Sequence, residues 1–327
     1  MLELSVQTQT WPMREPFAIS REVITETSSI LVTLTDADGR RGRGEACGVT
    51  YAGETPGTMA AQIEAHRAAI EAGPTREALL DLLPHGGARF AVDSALWDLE
   101  AKRTGRSAFA QAGVAAPHAV TTAYTIGIRS LAAYQAAAEA HAGYSLLKIK
   151  VDDADPLEAV AAVRRGAPQA ALIVDPNQAW SVARLKALAP ALAGLGVVLL
   201  EQPIKVGDEA GLDGYRCPIK LCADELINDA DDLAKAVGRF DVVNIKLDKA
   251  GGLTAALRLA EQARAAGFEL MVGCMAGSSL SMAPAMVLAQ QCAFVDLDGP
   301  LLQSEDWPDG LLYADGVIQP PDRRFWG

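Results

Sequence analysis

From about Val120 onward, short apolar runs alternate with alanine-rich runs, and this alternation limits the fold more than any other feature of the chain. The strand-like runs are VTTAYTI, LLKIKV, ALIVD, GVVLLE, IKLCAD, VVNIKL, ELMVGC and FVDLD. Between them lie segments of helical spacing such as LAAYQAAAEAHAG, PLEAVAAVRRGA and LTAALRLAEQARAAG. Strand then helix, repeated through eight strands, predicts a closed parallel barrel in an α/β fold. The rival is an open doubly wound sheet. It draws no support, because no G-x-G-x-x-G follows a first strand and no G-x-x-x-x-G-K-[ST] occurs.

The residues before Val120 read differently. SSILVTLTDADGRRGRGEA is β-rich with a turn at Asp38-Gly39. TMAAQIEAHRAAIEAG and ARFAVDSALWDLEAKRTG then have helical spacing, with Phe90, Leu96 and Leu99 on one face and Gly105 as a stop. This is an α+β segment. A chain of 327 residues also exceeds the size at which one core stops growing, so a smaller domain beside the barrel is expected. The tail after Gly299 ends in RRFWG and is expected to return to the first domain.

The net charge of −12 argues against nucleic acid or an anionic membrane as partner. It leaves a small anionic substrate open, since such a molecule feels local fields. No apolar run reaches spanning length and the first residues lack the form of a signal peptide, so a cytoplasmic location is expected. The five cysteines, Cys47, Cys217, Cys222, Cys274 and Cys292, show no C-x-x-C and read as reduced thiols.

A charged residue closes each of five consecutive strands: Lys150, Asp175, Glu201, Asp224 and Lys246. They recur every 22 to 26 residues, about one strand–helix unit. One such charge is commonplace. Five in succession place their side chains at the C-terminal face of the barrel, where barrel active sites form. Three carboxylates on adjacent strands repel one another unless a cation joins them. With only oxygen donors nearby, a hard ion is expected, Mg²⁺ first and Mn²⁺ second.

Lys148 and Lys150, two residues apart on one strand, both face the barrel interior. Lys246 comes from the far side. A buried lysine near another cation loses basicity and can act as a base. Two such lysines across a metal suit removal of a proton from one face of a carbon and its return to the other, with the metal stabilising charge on an adjacent carboxylate. For Lys148 two readings stand, an ion pair with Glu201 or Asp224 and a substrate contact.

The series KIK, VDPNQ, LEQP, CADE, NIKLDKAGG, GCM and DLDGP resembles the enolase superfamily, in particular its muconate-lactonizing subgroup and, within that, the dipeptide epimerases of the L-Ala-D/L-Glu type. The resemblance spans nearly the whole chain. It implies an N-terminal α+β capping domain over 1–115, a (β/α)7β barrel over 116–300 and a returning segment over 301–327. It implies that Asp175, Glu201 and Asp224 bind Mg²⁺, that Lys150 and Lys246 are the acid/base pair, and that Lys148 helps hold the substrate carboxylate. By the same resemblance Asp296 and Asp298 bind the α-ammonium group of a dipeptide, with a solvated turn as the plain alternative. Thr125 and Cys274 stand where family members contact substrate, with ordinary lining as the plain alternative.

PFAISREV corresponds to a loop near the substrate tail. There Arg21 is a candidate for the side-chain carboxylate of a glutamate residue, because arginine suits bidentate carboxylate recognition. Arg14 is a weaker one. Pro176 departs from the small residue usual after the first metal ligand, but it keeps Asp175 extended. Gly277 to Ser279 either shapes the pocket or caps a helix. The implied reaction is Mg²⁺-dependent 1,1-proton transfer at the C-terminal residue of a dipeptide such as L-Ala-L-Glu, derived from cell-wall peptide. The alternative within the superfamily is a cycloisomerase or syn-eliminating lyase. A metal-binding scaffold without catalysis is the reading from outside enzymes. Assembly as a homo-oligomer is common among such barrels.

Overall fold

The computed structural model describes residues 1–327. Its first part is a three-stranded antiparallel sheet of β1 (Glu3–Ala18), β2 (Val23–Thr35) and β3 (Arg41–Ala46). Helices Pro56–Ala65, Arg67–Glu71, Arg76–Leu82 and Gly87–Thr104 follow. The last of these ends where Gly105 adopts a left-handed φ of 71°, the stop expected of glycine. It lies almost on the backbone of β3. A Cβ at Gly42 or Gly44 would stand 2.1 Å from the carbonyl oxygens of Ala95 and Ala91, so only glycine admits the approach.

After the short β4 (Val120–Thr121) comes an eight-stranded sheet. Its strands are β5 (Tyr124–Ile126), β6 (Leu146–Lys150), β7 (Ala171–Asp175), β8 (Val197–Glu201), β9 (Lys220–Ala223), β10 (Val242–Lys246), β11 (Glu269–Gly273) and β12 (Phe294–Val295). They pair in sequence order and in parallel. The sheet curls until its edges meet, where the Ala123 N–H donates to the Val295 carbonyl at 2.8 Å. Six of the seven connections carry an α-helix. The β8–β9 connection has only a 3₁₀ turn, Glu209–Leu212. The run VTTAYTI is therefore split: Val120 and Thr121 pair with β14 (Val317–Ile318), and only its second half joins the large sheet. β14 itself pairs with β13 (Tyr313–Ala314).

Two-residue periodicity builds the inside of the curled sheet in layers. Ala123, Leu146, Ile173, Leu199, Cys222, Val242 and Met271 form a buried apolar cluster of their own, with Phe294 packed against it. Each residue belongs to, or immediately precedes, a different strand. Alternate residues such as Leu147, Ile149, Leu172 and Val174 point outward and join the main core under the helices. Strands buried on both faces read as continuous apolar runs, which explains why LLKIK and VVNIK are so easily seen.

The chain end returns to the first domain. The Trp326 indole donates to the Ser94 carbonyl at 3.2 Å, and the Gly327 N–H donates to Asp98 at 3.0 Å. All five cysteines are free thiols. No helix is long and apolar enough to cross a membrane.

Candidate active site

Two residues beyond the apolar ring, every strand changes character. The residues there are Thr125, Lys148, Asp175, Glu201, Asp224, Asn244, Gly273 and Asp296. A polar layer thus sits directly on an apolar one, at the C-terminal mouth where the first domain covers the sheet. Gly273 leaves space in this layer, since a Cβ there would stand 2.8 Å from the Asn244 side chain.

The polar layer opens into a cavity of about 300 Å³. Lys148, Lys150, Asp224, Lys246, Asp296, Asp298, Thr125, Cys274 and Arg21 all line it, so nine of the eleven sequence-derived candidates share one space. Asp175 and Glu201 lie just behind, fully buried. The cover comes from the β1–β2 turn and from the segment holding Gly48 and Tyr51.

Each carboxylate is drawn to lysine. Lys150 Nζ is 2.5 Å from Asp175 Oδ2. Lys148 Nζ is 2.8 Å from Glu201, 2.7 Å from Asp296 and 3.2 Å from Asp175. Its ion pair is thus with Glu201 and not Asp224. Lys246 Nζ is 2.7 Å from Asp224 Oδ2. Asp175, Glu201 and Asp224 consequently do not converge on one point in this arrangement.

Burial on its own would lower the Lys148 and Lys246 ammonium pKa values. The carboxylates around them outweigh it and hold both well above the ordinary range. Burial would likewise raise Asp224, but Lys246 and Lys249 overcome it and keep that carboxyl far below the usual range. Burial raises Glu201 to about 7, against the pull of Lys148. Burial also raises Asp298 to about 7, with repulsion from Asp296 adding to it. The Asp298 carboxylate accepts the Thr125 N–H at 2.5 Å. Asp296 accepts the Thr125 hydroxyl at 3.3 Å. The Asp296–Asp298 pair is therefore buried wall and not a solvated turn.

The oxygen set suits a hard divalent cation. Glu201 Oε2 has a lysine near it but no aligned hydrogen-bond donor, and the side-chain oxygens of Asn177 and Asn244 are buried without any. Buried acceptors in excess of donors favour a cation. The donors are all oxygen, as Mg²⁺ prefers.

Several neighbours escaped the sequence reading. Lys249, 1% exposed, donates to Asp224 Oδ1 at 2.7 Å, to the Asp224 carbonyl and to the Asn244 carbonyl. The Asn244 amide donates to Glu201 at 2.9 Å. Gln202 Oε1 accepts the Asp224 N–H at 2.9 Å, tying β8 to the end of β9. Asn177, Gln178 and Gln202 all hold positive φ, at 46°, 69° and 33°. Non-glycine strain of this kind gathers where surrounding structure enforces a site. Asn244 had a legible signal, because it shares a face with Lys246. The others follow strand ends, where periodicity lapses.

Arg21 stands at the rim, 2.9 Å from Glu225 Oε1 and over the Tyr51 ring. Arg14 donates instead to the Leu301 carbonyl and lines a separate cavity. Ser278 caps helix Ser279–Ala289 and donates to Glu45 at 2.6 Å, so Gly277 to Ser279 caps a helix and bridges to the first domain. Cys274 lines the wall as a neutral thiol, pushed up by burial.

The L-Ala-D/L-Glu epimerase of Escherichia coli (strain K12) is 41% identical over 97% of this chain and 99% of its own length. An enolase family member from Agrobacterium tumefaciens with homology to dipeptide epimerases, solved with bound sodium and L-Ala-L-Glu, superposes with a TM-score of 0.97 at 40% identity. The superposition covers 100% of both chains. A dipeptide epimerase from Methylococcus capsulatus, complexed with Mg and L-Arg-D-Lys, has a TM-score of 0.90 at 30% identity. It covers 98% of this chain and 97% of that one. Residues 131–324 match the enolase C-terminal domain-like family. With residues 1–110 matching the mandelate racemase / muconate lactonizing enzyme N-terminal domain, the chain belongs to that family of the enolase superfamily.

Proposed function

We propose that this protein epimerises a dipeptide at the α-carbon of its C-terminal residue, interconverting L-Ala-L-Glu and L-Ala-D-Glu, in a barrel whose curled sheet is the closed (β/α)7β form. The observation that carries the reading is the placement of Lys150 and Lys246. They come from strands separated by three others and open into one cavity that also holds an acidic pair, Asp296 and Asp298.

Asp175, Glu201 and Asp224 would hold a divalent cation, Mg²⁺ by the chemistry of the donors. When bound, the cation would stabilise negative charge on the substrate carboxylate and add counter-charge to the three acids. One of Lys150 and Lys246 acts in its neutral form and removes the α-proton. The other enters as ammonium and delivers a proton to the opposite face. Lys148 remains with Glu201 and Asp296 and supplies positive charge beside the substrate carboxylate. The raised pKa of Asp298 reflects a buried acid short of a cation, and the substrate's ammonium group supplies one. Arg21, already aligned by Glu225 and Tyr51, presents its free edge to the glutamate side chain. The cover domain and the wall residues Thr125 and Cys274 exclude water.

The test is NMR of L-Ala-L-Glu with the protein and Mg²⁺ in D₂O. Deuterium enters the glutamate α-position and the D-epimer accumulates. Asp296→Asn and Asp298→Asn lose turnover while calorimetric Mg²⁺ binding persists. Full activity in both variants refutes amine recognition by this pair and moves the reading to a cycloisomerase or lyase.

A further inference from the structure

The two lysines are anchored by different parts of the molecule. The end of β6 is held from within the barrel. The Tyr134 hydroxyl donates to the Lys150 carbonyl at 2.6 Å, and the Trp180 indole donates to the Asp152 carbonyl at 3.0 Å. The end of β10 is held from within the barrel through Lys249 and, in addition, from the first domain. Lys246 is the N-cap of a single helical turn, Leu247–Ala250, which closes at Gly251 and Gly252 with φ of 76° and 112°.

Helix Gly87–Thr104 lies over this turn. Arg89 donates from Nη2 to the Ala250 carbonyl at 2.7 Å and from Nε to the Gly251 carbonyl at 3.0 Å. One helical turn on, Asp93 accepts the Thr254 N–H at 3.0 Å and the Thr254 hydroxyl at 2.5 Å. The Trp97 indole donates to the same hydroxyl at 2.9 Å. A guanidinium thus satisfies the carbonyls that end one helical segment, and a carboxylate satisfies an N–H that begins the next, helix Leu253–Ala265.

The fit is close and stiff. A Cβ on Gly251 would stand 2.5 Å from Arg89 Nε, and one on Gly252 would stand 2.5 Å from Asp93 Oδ2. Both glycines also need their left-handed φ. Arg89 and Asp93 sit on the helix whose backbone touches β3, so their base does not yield.

We propose that Arg89 and Asp93 are positioning residues for Lys246. The cap domain then sets the acid/base group at one face of the substrate α-carbon, while the barrel alone sets Lys150 at the other. This rests on the dipeptide-epimerase reading above. A displacement of about 1 Å in a positioned group lowers a rate by about 100-fold.

The experiment measures α-proton exchange in D₂O, begun separately from L-Ala-L-Glu and from L-Ala-D-Glu, with Mg²⁺ present. Lys150→Ala and Lys246→Ala identify which epimer each lysine deprotonates. Arg89→Lys and Asp93→Asn then lose about 100-fold in exchange from the Lys246-facing epimer and less than about threefold from the other. A loosened fold lowers both exchanges alike, so parallel losses overturn the proposal. Wild-type exchange from both epimers in both folded variants also overturns it. Asp93→Asn keeps an acceptor for the Thr254 N–H, so it carries the test if Arg89→Lys fails to fold. A wild-type protein that exchanges neither epimer refutes the dipeptide reading itself, and the proposal falls with it. Active wild type with symmetric losses refutes the proposal alone.

Discussion

Glu45 is the most heavily bonded buried acid in the structure, and its replacement by glutamine gives a sharp test of how the two domains are joined. Trp11 from β1, Ser29 from β2 and the Ser278 N–H reach its Oε1, at 3.1, 3.0 and 3.4 Å. The Ser278 hydroxyl and the Trp307 indole reach Oε2, at 2.6 and 3.1 Å. Glu45→Gln preserves shape but turns one oxygen into an NH₂ donor. The serine hydroxyls can rotate to accept. The indoles cannot, because indole nitrogen only donates. One indole points at each carboxylate oxygen. Either amide orientation therefore sets one tryptophan N–H against another donor. A buried donor driven from its carboxylate to a poorer acceptor costs up to about 1–3 kcal/mol, and lost charge-assisted bonds add to it. Removing a buried charge returns part, because burial raises the Glu45 pKa against the pull of its donors. The expected net loss is about 2–3 kcal/mol in urea unfolding. The Trp307 indole also has the Ser278 hydroxyl at 2.9 Å, so the amide settles with its NH₂ toward Trp307 and that indole turns to serine. Trp307→Phe added to Glu45→Gln then costs at least about 0.5 kcal/mol less than in the wild-type background. Strict additivity, or a Glu45→Gln protein as stable as wild type, refutes the reasoning.

Two further outcomes can be stated. Asp248 accepts the Gly48 N–H at 2.8 Å, and burial raises its pKa from 3.8 to about 7. The folded state therefore holds a proton that the unfolded state has released between about pH 4 and pH 7, so the Asp248 contribution falls as pH rises through that window and is level above it. Over that window it amounts to at most about 4 kcal/mol. Urea-unfolding curves for wild type and Asp248→Asn should meet near pH 4 and separate toward pH 7, and parallel pH profiles would contradict this. Lys249→Met strips Asp224 of a buried ammonium and removes a donor from the Asp224 and Asn244 carbonyls, the former keeping the Ile227 N–H, a loss of about 3–5 kcal/mol without metal. Added Mg²⁺ should raise the thermal midpoint of that variant more than that of wild type, since the cation restores counter-charge that Lys249 already supplies in wild type. Equal gains would argue against the pairing.

The periodicity of two determined most of the site in advance. A strand buried on both faces has one interior side, so Lys148, Asp175, Glu201 and Asp224 had to face that side once the runs around them were read as neighbouring strands, while the layer that each occupies was set by strand register. Lys150 and Lys246 follow by the same step. The Gly105 stop was legible because a helix end needs a left-handed residue there. Other features had no period to betray them. Lys249 lies in a turn and reaches Asp224 only because that turn folds back beneath β10. The missing helix between β8 and β9 leaves an apolar run followed by polar loop, which a helix start also resembles. Arg21 reads as any surface arginine until Glu225 is placed 2.9 Å away, across 204 residues of chain. Arg89 and Asp93 look like ordinary polar residues of an amphipathic helix, yet they meet glycines more than 150 positions on. Local spacing decides which face a side chain takes within one element. Contacts between elements depend on how rigid bodies dock, and only the tertiary structure contains that.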